Sequence, residues 1–130
     1  MLASDGVWNF LTPQEAIDVV TMSLFECSRV TGIRVPLLGN KTKLTDFSVK
    51  EQEMHNIYQM SFNCGSEELP VPRIETLEDI YKAAARAVVM ATLCKVGQVK
   101  RVGTTLKVLE IEPLWRRQVH DDIAVVIKYL

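Results

Sequence analysis

Residues 1–15 read MLASDGVWNFLTPQE, and the fold turns on how this run is parsed. Residues 1–4 look like the end of a buried strand. Asp5-Gly6 is a polar turn that presents a carboxylate at that strand end. Thr12-Pro13-Gln14-Glu15 is a helix start, with Thr as N-cap, proline at the first helical position, and glutamate placed to close a capping box. A strand, a carboxylate turn and a capped helix in succession suit a metal or phosphate ligand at a sheet edge.

Downstream of Pro13, Ala16, Ile17, Val20, Leu24 and Cys27 recur at three- and four-residue steps. Val19 and Phe25 widen that apolar face, and Asp18 falls on the other side. Thr31-Gly32 supplies the stop. A second helix opens at Thr76-Leu77-Glu78-Asp79, with Asp79 where a capping box usually has Glu. Leu77, Ile80, Tyr81, Ala84, Val88 and Ala91 share one face, and Ala83, Ala84, Ala85 and Ala87 permit close approach of a neighbour. Lys95 and the Val96-Gly97 step predict its C-terminal end. Leu106, Val108 and Leu109 predict one more short element, broken by Pro113.

The stretch between the helices, about 33–73, holds Pro36, Pro70, Pro72, Gly39 and Gly65 and reads as an insertion. It includes a predicted short helix over 48–60 and a turn at Asn63-Cys64-Gly65-Ser66. The chain closes with HDDIAVVIKYL, residues 120–130, whose Ile, Val, Leu and Tyr content predicts a strand. Its scant alternation before Lys128 predicts cover on both faces.

A length of 130 residues allows about one small domain. A net charge of −1 gives no support for nucleic acid or an anionic membrane as partner. No apolar run approaches the roughly 20 residues of a membrane helix, and no secretory signal is visible. Cys27, Cys64 and Cys94 fit neither a disulfide framework nor a C-x-x-C metal site, which predicts reduced thiols in an intracellular setting. His55 and His120 are isolated, so a zinc site is not expected. Ser4 lacks the partners of a nucleophile, Arg116-Arg117 reads as a solvated pair, and Trp8 and Trp115 read as core or insertion anchors.

The chemistry concentrates on Asp5 and Asp121, each at the end of a predicted strand. Carboxylates are hard oxygen donors suited to Mg²⁺ or Mn²⁺, and strand ends in one sheet could bring them within a few ångströms. Taken singly, Asp-Gly is a common turn and Asp121-Asp122 an ordinary solvated strand end.

Together the two segments resemble a known family. A-S-D-G-V-W followed by L-T-P-Q-E-A is similar to the late motif of the metal-dependent protein phosphatases (the PPM, or type 2C, serine/threonine family), and H-D-D-I-A-V-V is similar to its closing motif. The resemblance makes Asp5 and Asp121 metal ligands, with Gly6, His120 and Asp122 around them, and assigns no directly catalytic side chain. Asn9 stands where the family usually has Asp, and Ala124 where it usually has Thr or Ser. The long insertion is similar to that of the pyruvate dehydrogenase phosphatase branch.

The resemblance implies an α+β fold, a partial α/β/β/α sandwich of antiparallel sheets with flanking helices. It implies two Mn²⁺ or Mg²⁺ ions in the complete domain, and phosphoserine or phosphothreonine proteins as substrates. The family's upstream motifs, including D-G-H-G-G, do not occur in these residues, so the expectation is a C-terminal portion of such a domain, inactive alone. The alternative is a non-catalytic, phosphatase-like interaction module. A phospho-acceptor receiver domain fits poorly, because its acidic pair should follow the first strand. Exposed sheet edges predict self-association. A cytoplasmic or nuclear location is expected, or a mitochondrial one for the pyruvate dehydrogenase phosphatase branch.

Overall fold

A computed structural model of the chain describes residues 2–36, 73–103, 105–112, 115 and 118–127. Its elements are β1 (Leu2–Ala3), α1 (Asp5–Trp8), α2 (Pro13–Thr31), α3 (Leu77–Val99), α4 (Thr105–Leu109) and β2 (Val125–Val126). The predicted helix over 48–60, the turn at 63–66, Cys64 and His55 lie outside the described residues.

Both long helices start where the capping signals place them. Thr12 Oγ1 accepts the Glu15 N–H at 3.1 Å, while the Thr12 N–H donates to Glu15 Oε1 at 3.0 Å. Thr76 Oγ1 accepts the Asp79 N–H at 3.2 Å, and Asp79 Oδ2 accepts the N–H groups of Thr76 and Glu75 at 3.1 and 3.0 Å. These bonds satisfy donors that have no partner inside a helix. α2 stops at Gly32, whose N–H still reaches the Ser28 carbonyl at 2.9 Å and whose left-handed φ of 74° turns the chain out of the helix.

The caps carry a pH dependence. Accepting the Thr12 N–H holds the Glu15 carboxyl below its ordinary range, with help from the Lys95 ammonium. The Glu75 and Thr76 N–H groups do the same for Asp79. A carboxyl depressed in the folded chain stabilises the fold above its unfolded value of about 4 and loses that contribution as pH falls through the folded value. Urea midpoints should therefore drop as pH is lowered from about 4.5 towards 3. The drop should be shallower in Glu15→Gln. Thr12→Ala should cost about 1 kcal/mol at neutral pH, read from the same unfolding curves.

α2 and α3 run antiparallel, since Glu15 at the start of α2 meets Lys95 near the end of α3 at 3.4 Å. Between them lies the main core. Ala16, Val19, Met22, Leu24 and Phe25 from α2 cluster with Ile80, Ala84, Ala87, Val88 and Ala91 from α3. Val7 and Leu11 close one end of this core, and Val35 belongs to it too. Ile33 and Val35 are thus anchored on the core, so the segment read as an insertion from about residue 33 starts out packed on it. A second cluster joins Met90, Leu93 and Val96 to Val108 of α4, with Phe10 and Ile123 packed against it.

Several local expectations are corrected. Ile17, predicted on the apolar face of α2, is 53% exposed, because the buried arc runs through Ala16, Val19 and Met22 instead. Gly97 does not end α3 but is buried inside it, where the returning chain packs on its backbone. The left-handed residue after the helix is Arg101, at φ 56°. Trp8 and Trp115 are not core residues: Trp115 is 57% exposed, and the Trp8 indole folds back to donate from Nε1 to the Ala3 carbonyl at 3.0 Å.

The two strands form an antiparallel ribbon in which Leu2 pairs with Val126 and Ala3 with Val125. Ala3, Ile123, Val125 and Ile127 pack on the helical core. On the other face the paired Leu2 and Val126 are 75% and 58% exposed. The closing strand is therefore covered on one face among the described residues, not on both. Cys27 and Cys94 are not in disulfides, and burial pushes the Cys27 thiol above its ordinary value. A thiol shifted that way is a poor nucleophile, in keeping with a packing role.

Candidate metal centre

The ribbon joins the two ends of the described chain, and the acidic residues sit where it ends. Beyond Ala3 the chain leaves the ladder and coils into α1, whose first residue is Asp5. Val7, fully buried in the main core, holds this turn down. The sharp turn expected at Asp5-Gly6 is thus one turn of helix, closed by Asn9 N–H on the Asp5 carbonyl at 2.9 Å. On the opposite strand, Asp121 and Asp122 precede the residues that pair with β1.

Gly6 brings the two segments together. A Cβ built on Gly6 would stand 2.2 Å from the Asp122 carbonyl oxygen and 2.9 Å from that of Asp121. Only a glycine backbone can lie that close to another peptide group. Asp5 and Asp121 therefore belong to two segments in direct backbone contact, and both are exposed to solvent.

Their carboxylates are differently held. Asp121 Oδ1 accepts the Asp122 N–H at 2.8 Å, which fixes the side chain in a local turn. The Asp5 carboxylate takes no hydrogen bond from the described residues. His120 turns its ring onto the chain, with Nδ1 2.7 Å from the Asp121 carbonyl oxygen, so the tautomer protonated at Nδ1 donates there. Asp122 contributes its carbonyl, which backs Gly6 and accepts the Ser4 hydroxyl at 2.7 Å.

As donors for a hard dication, two exposed carboxylates on touching segments have the right chemistry and too few oxygens for a closed site. Among the described residues no group of three or more His, Cys, Asp and Glu side chains converges. Gly6 narrows the gap between the two segments, and the space a side chain would take there is filled by the Asp121 and Asp122 carbonyls. Sequence reasoning placed Asp5, Gly6, Asp121, Asp122 and His120 in this region, and they lie on the two adjoining segments. It passed over Ser4, weighed only as a nucleophile. Nothing local to Ser4 signals its role, which depends on residues 118 and 120 positions away.

The chain matches no protein family model, no curated protein and no solved structure. Among the described residues no helix is long and apolar enough to cross a membrane.

Proposed function

We propose that this chain supplies the carboxylate pair Asp5 and Asp121 to the divalent-metal centre of a serine/threonine protein phosphatase of the type 2C class. One observation carries the reading: Gly6 lies in van der Waals overlap distance of the Asp121-Asp122 peptide for any side chain, so the S-D-G and H-D-D segments abut. Each segment resembles a motif of that class, and the class requires the two to meet.

Mn²⁺ or Mg²⁺, when bound, supplies a water acidified to near neutral pH and positive charge against the phosphoryl oxygens of a phosphoserine or phosphothreonine. The chain's own residues do the holding. Asp5 and Asp121 offer hard oxygens, Asp122 N–H bonds the Asp121 carboxylate, and the ribbon with the Gly6 contact joins the two segments that carry them. The remaining ligands and the phosphate grip come from other residues of a complete domain, so this chain alone does not turn over phosphopeptides. The uncovered ribbon face at Leu2 and Val126 fits the place of a second sheet in an α/β/β/α sandwich. The same exposed pair favours a second reading, a phosphatase-like module that binds partners or copies of itself. An intracellular site of action, cytoplasmic, nuclear or mitochondrial, accompanies either reading.

Paramagnetic broadening of amide NMR signals by Mn²⁺ tests the proposal. Micromolar-to-millimolar Mn²⁺ should broaden Gly6 and Asp122 ahead of amides in α2, and Asp5→Asn or Asp121→Asn should remove that selectivity while leaving the fold intact. Uniform broadening, or selective broadening untouched by both substitutions, would leave the interaction-module reading in its place. Phosphopeptide hydrolysis by the chain itself, lost in Asp5→Asn, would contradict the incomplete-centre reading.

A further inference from the structure

We infer that the Trp8 indole is a lock on the free edge of β1, keeping a second copy of this chain from adding its own β1 there; the inference is independent of the metal reading above. The pairing register defines that edge. Ser4 donates its N–H to the Ala124 carbonyl at 3.0 Å, so its backbone faces β2. Antiparallel pairs alternate between hydrogen-bonded and non-hydrogen-bonded, which makes Leu2–Val126 a bonded pair and Ala3–Val125 a non-bonded one. The N–H and C=O of Ala3 therefore point away from β2, along the free side of the ribbon. Beyond Ala3 the edge ends, because the Ser4 carbonyl turns into α1 and accepts the Val7 N–H at 2.9 Å.

Among residues 2–4 the edge thus offers an incoming strand one donor and one acceptor, both on Ala3. Trp8 takes the acceptor, since Nε1 donates to the Ala3 carbonyl at 3.0 Å. The indole is 37% exposed and belongs to neither apolar cluster, so it can leave the edge without opening the core. Nothing else guards this edge: Leu2, Ala3 and Ser4 include no charge and no proline, the usual devices against edge-to-edge pairing. The occupant that fits is the same segment of another copy. About a two-fold axis at Ala3, each Ala3 would exchange N–H and C=O with its counterpart, and no charged side chain of residues 2–4 would meet its like. Two ribbons would become one four-stranded sheet, with the exposed Leu2 and Val126 of both copies on a continuous face.

Sedimentation equilibrium of the full chain, with amide hydrogen exchange read at Ala3, tests the lock. In the unaltered chain the Ala3 amide should exchange at a rate independent of protein concentration. Trp8→Phe, which keeps a ring and loses the N–H, should self-associate at about tenfold lower concentration than the unaltered chain, the scale of one competing hydrogen bond. Its Ala3 amide should become protected as concentration rises. Trp8→Ala should associate at least as readily. Val7→Ala, which thins the packing of α1 and leaves the indole bond in place, should lower the melting temperature and change neither readout.

Monomeric Trp8→Phe and Trp8→Ala would overturn the inference, as would association of either that leaves Ala3 exchange independent of concentration. Association of Trp8→Ala alone, with Ala3 protected, would assign the lock to the bulk of the ring and support it. An Ala3 amide already protected by concentration in the unaltered chain would mean that Trp8 shuts nothing. Equal association of Val7→Ala would reduce Trp8 to one more contact that holds α1 down and overturn its role at the edge. Failure of Trp8→Phe to fold would do the same.

Discussion

Gly6→Ala is expected to lower stability by about 1–3 kcal/mol, the usual cost of forcing extra volume into a packed site. It should also abolish selective Mn²⁺ broadening. The added methyl would stand 2.2 Å from the Asp122 carbonyl oxygen and 2.8 Å from its carbon. Those atoms are backbone, so no side chain can swing aside. Either α1 lifts off the core, against the burial of Val7, or the 121–122 segment leaves the ribbon, against the Ser4 hydrogen bonds. Thermal melting reads the first consequence as a fall of several degrees, and NMR reads the second. A useful contrast is Gly32→Ala, where nothing lies within 4 Å and the penalty comes only from the left-handed φ of 74°. That substitution should cost about 1 kcal/mol and leave the Mn²⁺ response intact. An unchanged melt in Gly6→Ala would mean that the two acidic segments do not touch.

Gly97→Ala should be at least as damaging to the fold. A methyl there would meet the Gly103 carbonyl oxygen at 2.3 Å, with Val108 Cγ2 at 3.4 Å on the far side. The Gly97 carbonyl also accepts both the Val102 and Gly103 N–H groups, at 3.0 and 3.1 Å. This crossing pins the loop after α3 and places α4 so that Val108 enters the second cluster with Met90, Leu93 and Val96. Prying it open would expose that cluster. We expect a loss of about 1–3 kcal/mol in urea unfolding, with faster limited proteolysis between residues 100 and 112. The pair of Lys95, two residues earlier in α3, with Glu15 of α2 should remain; Lys95→Ala should cost less than about 1 kcal/mol because both side chains keep part of their surface in water. If Gly97→Ala melts like the unaltered chain, α4 does not pack as described.

The two glycines show why the sequence was only partly legible. Gly97 reads as a helix stop because glycine usually ends helices, yet α3 continues to Val99. The reason for glycine at 97 is a backbone that arrives six residues later, and no local pattern announces that crossing. Ile17 reads as core from its spacing, but what covers a helix face is decided by its neighbours, and the core lies towards Ala16 and Val19. The β2 segment reads as doubly covered from its run of Ile and Val. In the fold Ile123, Val125 and Ile127 face the helices while Val126 stays exposed. An apolar composition states that a residue can be buried; it does not state which layer is present to bury it.

What the sequence determined by itself is the local set: where α2 and α3 begin, where α2 ends, and the one face of α3, from Leu77 to Ala91, that meets the main core. Thr12 with Glu15, Thr76 with Asp79, and Gly32 act across three or four residues, where hydrogen-bond geometry leaves few alternatives. It also named the carboxylates, because side-chain chemistry is written in the residue type. Only the tertiary structure decided that Asp5-Gly6 lies on Asp121-Asp122 and that Ser4 bridges them. That contact joins residues 118 positions apart, and its distance is fixed by Val7 buried on one side and Val125 on the other, a closure that no short stretch of chain encodes.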